Sequence, residues 1–211
     1  MSDVKGPRQR SARTKRAIVA AAHDLFTSKG YAATTLQEIA GAAGVAVQTV
    51  YFHFGTKSRL LKEVVDVRSA GDDEPVALLE RDWFARLRAA TDPAEVLTGW
   101  VRASGLILAR VAPILAVVRD AAPTDPEMAG QWTVNSRQRR QAHAEFVTVL
   151  GGLGALPPAM SEDRASDITV ALLSPELFLV LTRECGWSRE AWEAWALDHL
   201  RHDLLGRSQA H

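Results

Sequence analysis

Three sets of residues have types and spacings that suit chemistry. His199 and His202 lie three apart beside Asp198 and Asp203, a spacing that sets ligand atoms on one helix face. They lack a third anchored ligand, so a solvated charged face is expected there and no metal site. Cys185 sits next to Gly186 and Trp187 without a histidine nearby in sequence, and its thiol is expected to be inert. The sequence holds no Gly-rich phosphate loop, no HExxH and no GxSxG. No catalytic residue and no cofactor are expected, and the chain is not read as an enzyme. The third set is a run of hydroxyl, amide, aromatic and basic side chains between Thr34 and Lys57, groups that suit an anionic polymer.

These residues need short, steeply crossing helices to present them. Such a crossing requires a small residue at the approach, a permissive residue in the turn and an apolar plug from the second helix. Ala40, Gly44 and Val50 supply them, with Leu36, Ile39 and Val45 completing a small apolar centre. Thr35 and Glu38 have capping-box spacing. The pattern is a helix-turn-helix, whose second helix enters the major groove of DNA.

The segment Thr34–Leu61, TTLQEIAGAAGVAVQTVYFHFGTKSRLL, closely resembles the DNA-binding domain of the TetR (tetracycline-repressor-like) family. It shares the family's Thr, Ile-Ala, Gly-Val, Thr-Val-Tyr, an aromatic, His-Phe, and Lys with Leu-Leu behind. The resemblance is looser farther along the chain. It implies a homodimer that represses transcription and leaves its DNA operator when a small-molecule effector binds the C-terminal domain. Thr34, Thr35, Tyr51 and Lys57 would then meet phosphates, while Ala46, Val47, Gln48, Thr49 and His53 would face bases. Gln48 is the strongest reader, since its amide can pair with adenine through two hydrogen bonds. Where many members carry a polar group this chain has Val47, which can touch only a thymine methyl. The basic stretch Lys5–Arg16, with Arg10 and Arg13, is therefore expected to add affinity along phosphates or in the minor groove. Val47 also leaves open a rival reading, a helical ligand-binding or interaction protein that keeps the motif as scaffold.

Lys and Arg total 25, and so do Asp and Glu, which at first argues against a nucleic-acid partner. The distribution reverses that inference. Residues 1–60 hold nine basic side chains and three acidic ones, and the remainder carries the compensating acidic surplus. The longest purely apolar run, Val111–Val118, has eight residues and includes Pro113, so no membrane span is expected. His23 and Asp24 interrupt the apolar run after Arg16 too early for an export signal. With one cysteine, a cytoplasmic protein is expected.

The expected fold class is all-α, with about nine or ten helices: a flexible basic arm over residues 1–10, a helix-turn-helix domain over 11–56, and a sensing and dimerising domain over 57–211. Helices are expected at about 76–90, 94–110, 113–121, 126–151, 162–185 and 189–205. Trp100, Ser104, Trp132, Asn135, Arg139 and Phe146 mix large apolar and polar groups and are candidates to line a pocket for an apolar or aromatic effector. Ile168, Leu172, Leu179, Trp192, Trp195 and Leu200 form apolar stripes on the last helices and are the candidate dimer interface.

Overall fold

The computed structural model describes residues 7–70 and 82–205, and all regular structure among them is helical. The first helix, α1 (Pro7–Lys29), begins four residues ahead of the expected start at Ser11. Proline has no N–H to lose and its φ is already helical, so Pro7 suits a first position. The arm expected to be flexible through residue 10 is thus helical from Pro7 on; residues 1–6 lie outside the described ones. Ile18, Val19, Ala22 and Phe26 form the buried stripe of α1. Gly30, at φ +81°, ends it in a conformation that side chains with a Cβ rarely adopt.

Helix α2 (Leu36–Ala42) and helix α3 (Val47–Phe54) follow as expected. Gly44, at φ +67°, turns the chain between them, and the Val45 N–H donates to Ala40 across the turn at 3.0 Å. Ile39, Ala40, Val50 and Phe54 are buried where the helices meet. Helix α4 (Lys57–Ala70) inserts Leu60, Leu61, Val64 and Val65, all fully buried. The chain up to Arg68 forms one compact unit with Ile114–Trp132. The expected boundary after residue 56 is therefore displaced: the apolar stripe of α4 completes the core of the head instead of starting another.

The second unit comprises the described parts of residues 69–113 and 133–211. It contains α5 (Asp82–Ala89), the start of α6 (Pro93–Ala121), most of α7 (Pro126–Gly152), α8 (Glu162–Leu172), α9 (Pro175–Leu179) and α10 (Arg189–Leu204). Residues 76–81 of the expected 76–90 helix lie outside the described residues. Two expected boundaries change. Helix α6 runs unbroken through Pro113, although an interior proline forfeits a hydrogen bond and costs about 3 kcal/mol. Burial of Val111, Ala112, Ile114 and Leu115 on either side offsets that cost. The expected 162–185 helix is divided at Leu173, because Pro175 forces Ser174 into extended backbone (φ −75°, ψ 146°). Ser174 then caps α9, which continues as a π turn, Val180–Glu184.

The core of this unit combines Phe84, Val96, Leu97, Trp100, Val101 and Leu108 with Phe146, Val147 and Leu150 of α7 and Trp192, Ala196, Leu200 and Leu204 of α10. Pro93–Ala121 and Glu162–Glu184 reach the length and mean hydropathy (1.8 and 1.5) of membrane-crossing segments. Val96, Leu97, Trp100, Val101 and Leu108 of α6 lie in this core, the behaviour of an interior helix.

Two glycines of opposite character test the packing. A Cβ at Gly105 on α6 would meet the Glu193 carboxylate and its Cγ, whereas Gly130 on α7 has nothing within 4 Å. Gly105→Ala is expected to lose about 1–2 kcal/mol through displacement of Glu193 from Arg189, overriding the helix-propensity gain. Gly130→Ala is expected to gain about 0.5–1 kcal/mol. Urea unfolding of both variants checks the opposite signs, and a stabilised Gly105→Ala protein would refute the packing argument.

Candidate nucleic-acid interface

The head is built around the end of α1 and the starts of α2 and α4. Thr35 caps α2: its hydroxyl accepts from the Glu38 N–H at 3.2 Å, and the Glu38 carboxylate accepts from the Thr35 N–H at 2.9 Å. Lys29 donates to the same carboxylate at 2.7 Å. That ammonium, followed by the Thr35 donors, holds the Glu38 carboxyl down at about 2. The capping box read from the sequence is therefore formed, and Lys29 neutralises the one carboxylate it brings to the head's surface.

Lys57 does more than expected. Its ammonium donates to the Tyr31 carbonyl at 2.8 Å and the Thr34 carbonyl at 3.0 Å, and lies 4.3 Å from the centre of the Tyr31 ring. It pins the α1–α2 turn against the start of α4. Burial first, then the Asp125 carboxylate, pushes the Tyr31 phenol up to about 12.

A surface groove is lined by Thr35, Leu36, Gln37, Val47, Tyr51, Gly55, Thr56 and Lys57. Of the expected phosphate contacts it brings together Thr35, Tyr51 and Lys57. Thr34 is a correction: it is fully buried, and its hydroxyl donates to the carbonyls of Leu25 and Gly30 at 3.2 and 2.8 Å. A threonine there closes the end of α1 and has no surface to offer a phosphate. Ala46 and Gln48 are exposed, whereas Val47, Thr49 and His53 are half-buried. Arg10 and Arg13 are exposed on α1.

The sequence reading missed Phe52, whose side chain is 85% exposed on α3. It stands one turn after Gln48 and edge-on to His53, with ring centres 5.4 Å apart. That i, i+4 relation to Gln48 was the available signal. An aromatic ring left this exposed is a surface that another molecule gains by covering.

The candidate pocket residues are differently placed. Trp132 falls in the first unit, whereas Trp100, Ser104, Asn135, Arg139 and Phe146 fall in the second, so the structure divides the expected set. A helical pattern on α7 cannot show where its helix passes from one unit to the next. Trp100 stacks on Phe146 with ring centres 4.9 Å apart and planes 5° apart, and Phe84 and Trp83 approach it at 5.8 and 5.9 Å. Its indole N–H donates to Nδ1 of buried His143 at 3.3 Å. Burial, reinforced by the Arg139 charge, pushes His143 down to about 3 and keeps it neutral.

Two expected interface residues are also corrected. Trp192 and Leu200 are fully buried within the subunit, because the i, i+4, i+8 stripe of α10 faces its own core. Ile168, Leu172, Leu179 and Trp195 pack against that core with part of their surface open.

The fold and this groove define a helix-turn-helix head. Residues 18–64 match the family of bacterial regulatory proteins of the TetR type. It is 34% identical over 90 residues to the regulator AcrR of Shigella flexneri, covering 43% of this chain and 39% of AcrR. The match thus spans about two-fifths of that relative's length. Among solved structures it resembles NalD, the secondary repressor of the MexAB-OprM multidrug efflux pump in Pseudomonas aeruginosa. The TM-score is 0.70 at 23% identity, over 95% of this chain and 99% of NalD. A SmeT–triclosan complex is similar at TM-score 0.71 and 18% identity, over 92% of this chain and 93% of SmeT.

Proposed function

We propose that this protein is a cytoplasmic transcriptional repressor that binds operator DNA as a homodimer and is released by a small apolar or aromatic effector. The observation that carries the reading is the exposed face of α3, with Gln48, Tyr51 and Phe52, beside a groove lined by Thr35 and Lys57. Gln48 reads a base edge, Phe52 covers sugar and thymine-methyl surface, and Tyr51 and Lys57 meet phosphates. Arg10 and Arg13 extend the cationic surface along α1. The AcrR and NalD matches support a regulator, and regulators are not enzymes.

The triclosan complex of SmeT supports an aromatic effector. Here the Trp100–Phe146 stack is where such a molecule would enter the core, with Ser104, Asn135 and Arg139 as polar partners. Ile168, Leu172, Leu179 and Trp195 retain open surface and are the remaining dimer candidates.

Fluorescence anisotropy with duplex DNA from upstream of the protein's own gene tests the reading. Binding is expected to be sequence-selective and to weaken steeply with salt. Gln48→Ala is expected to lose about tenfold on that DNA and little on mixed-sequence DNA. Arg13→Ala is expected to lower the salt slope by about one contact and leave selectivity intact. No binding at low salt would instead favour a ligand-binding protein that keeps the motif as scaffold.

A further inference from the structure

A second surface groove adjoins the first. Tyr51 and Gly55 line both, and the second passes Phe52 of α3 to reach Arg59, Lys62, Glu63 and Asp66 of α4. Most of the charge in it is matched. Glu63 pairs with Lys15 of α1 at 2.7 Å, and Asp66 pairs with Lys62 at 2.6 Å. Arg59 differs: its side chain is exposed and makes no ion pair or hydrogen bond among the described residues. Its backbone is nevertheless fixed, because its N–H donates to the Thr56 hydroxyl at 3.1 Å in the first turn of α4. The guanidinium lies beside the end of α3, where a Cβ at Gly55 would stand 3.8 Å from Nη1. Phe52, the most exposed large apolar side chain among the described residues, opens onto the same groove.

Among the described residues, nothing in the head accounts for a cation at this position. The first turn of α4 is the positive end of its dipole and carries no acidic residue. Glu63, four residues on, is the partner that α4 itself could offer, but Lys15 occupies it. We propose that Arg59 binds a backbone phosphate of duplex DNA, with the Phe52 ring against the adjoining sugar, so that Lys57 and Arg59 serve the two strands bordering α3. This rests on the reading of α3 as the helix that enters DNA. A helix lying in a major groove about 12 Å wide has a phosphate strand along each side. Lys57 lines the first surface groove and Arg59 the second, so each strand meets one cation. The planar guanidinium fork suits two oxygens of one phosphate. Glu63 and Asp66, each held by a lysine, leave the phosphate no unmatched carboxylate to face there.

The order of two substitutions separates a phosphate contact from plain electrostatics. Lys62→Gln, in the same groove, removes the same charge as Arg59→Gln and also leaves Asp66 unmatched. A purely long-range effect would make it at least as damaging. A phosphate contact reverses that order. The experiment titrates the full chain and its Arg59→Gln, Lys62→Gln, Phe52→Ala and Arg59→Gln/Phe52→Ala variants with a mixed-sequence DNA duplex over a range of salt, with anisotropy as the readout. Arg59→Gln is expected to weaken binding about five- to tenfold at low salt and to lower the salt slope by about one. Lys62→Gln is expected to lose less than about twofold. Phe52→Ala is expected to cost less in the Arg59→Gln background than in the natural chain, since the two side chains hold one nucleotide. An unchanged slope with Arg59→Gln, a Lys62→Gln loss as large as that of Arg59→Gln, or additive losses for Arg59 and Phe52 would overturn the proposal while leaving the DNA reading intact. No binding by the natural chain at low salt would overturn both.

Discussion

Replacing Trp100 with alanine is expected to destabilise the protein by about 4 kcal/mol, among the largest effects a single core substitution produces. The indole is 3% exposed, stacks on Phe146, and packs against Phe84 and Trp83. Truncation removes that apolar contact and opens a cavity between α6 and α7. It also takes the donor from His143 Nδ1, leaving a buried acceptor without its bond. Trp187→Ala serves as the control, since Trp187 is 37% exposed and is expected to cost under about 1 kcal/mol. Urea unfolding with near-ultraviolet circular dichroism measures both. Similar losses for the two variants would show that the Trp100 cluster is not the core inferred here.

Acid should act through the same cluster. His143 is ordinarily half-protonated near 6.5 but is held at about 3 in the folded protein, chiefly by burial and secondarily by Arg139. As pH falls, the unfolded chain takes up the proton first. The contribution of neutral His143 is therefore complete above about pH 6.5 and is lost progressively between there and pH 3. The slope approaches about 1.4 kcal/mol per pH unit, which sums to several kcal/mol across the window. Glu38, held down at about 2, loses its contribution only below the usual carboxylate range, so pH 5–7 isolates the histidine from that carboxylate. His143→Gln retains an acceptor without a titrating ring and is expected to flatten the profile over that interval. Parallel stability–pH curves for the two proteins would refute a buried neutral imidazole as the cause.

The two predictions concern a region where sequence patterning was informative about type but silent about partners. Trp100 and Phe146 read as large helical side chains among polar ones, which suits an open pocket and a closed core equally well. Only the tertiary structure shows the 4.9 Å stack on Phe146 and the bond to His143. The stripe of Trp192 and Leu200 was legible as apolar but not as inward-facing, since periodicity gives a face without saying what covers it. Thr34 was legible as a hydroxyl at a helix start. Its burial depends on how α1 ends at Gly30, where the hydroxyl reaches the carbonyls of Leu25 and Gly30.

The sequence by itself determined the helical class, the helix-turn-helix and its capping box, because these depend on contacts within a few residues of one another. Thr35 and Glu38, Ala40 and Val50, and Gly44 each act at short range, where residue type nearly dictates conformation. The tertiary structure alone decided that Lys57 binds the carbonyls of Tyr31 and Thr34, more than twenty residues back. It alone decided that Pro113 remains inside a helix and that Phe52 stands uncovered. Each of these depends on which distant segments share a core, and local spacing carries no record of that.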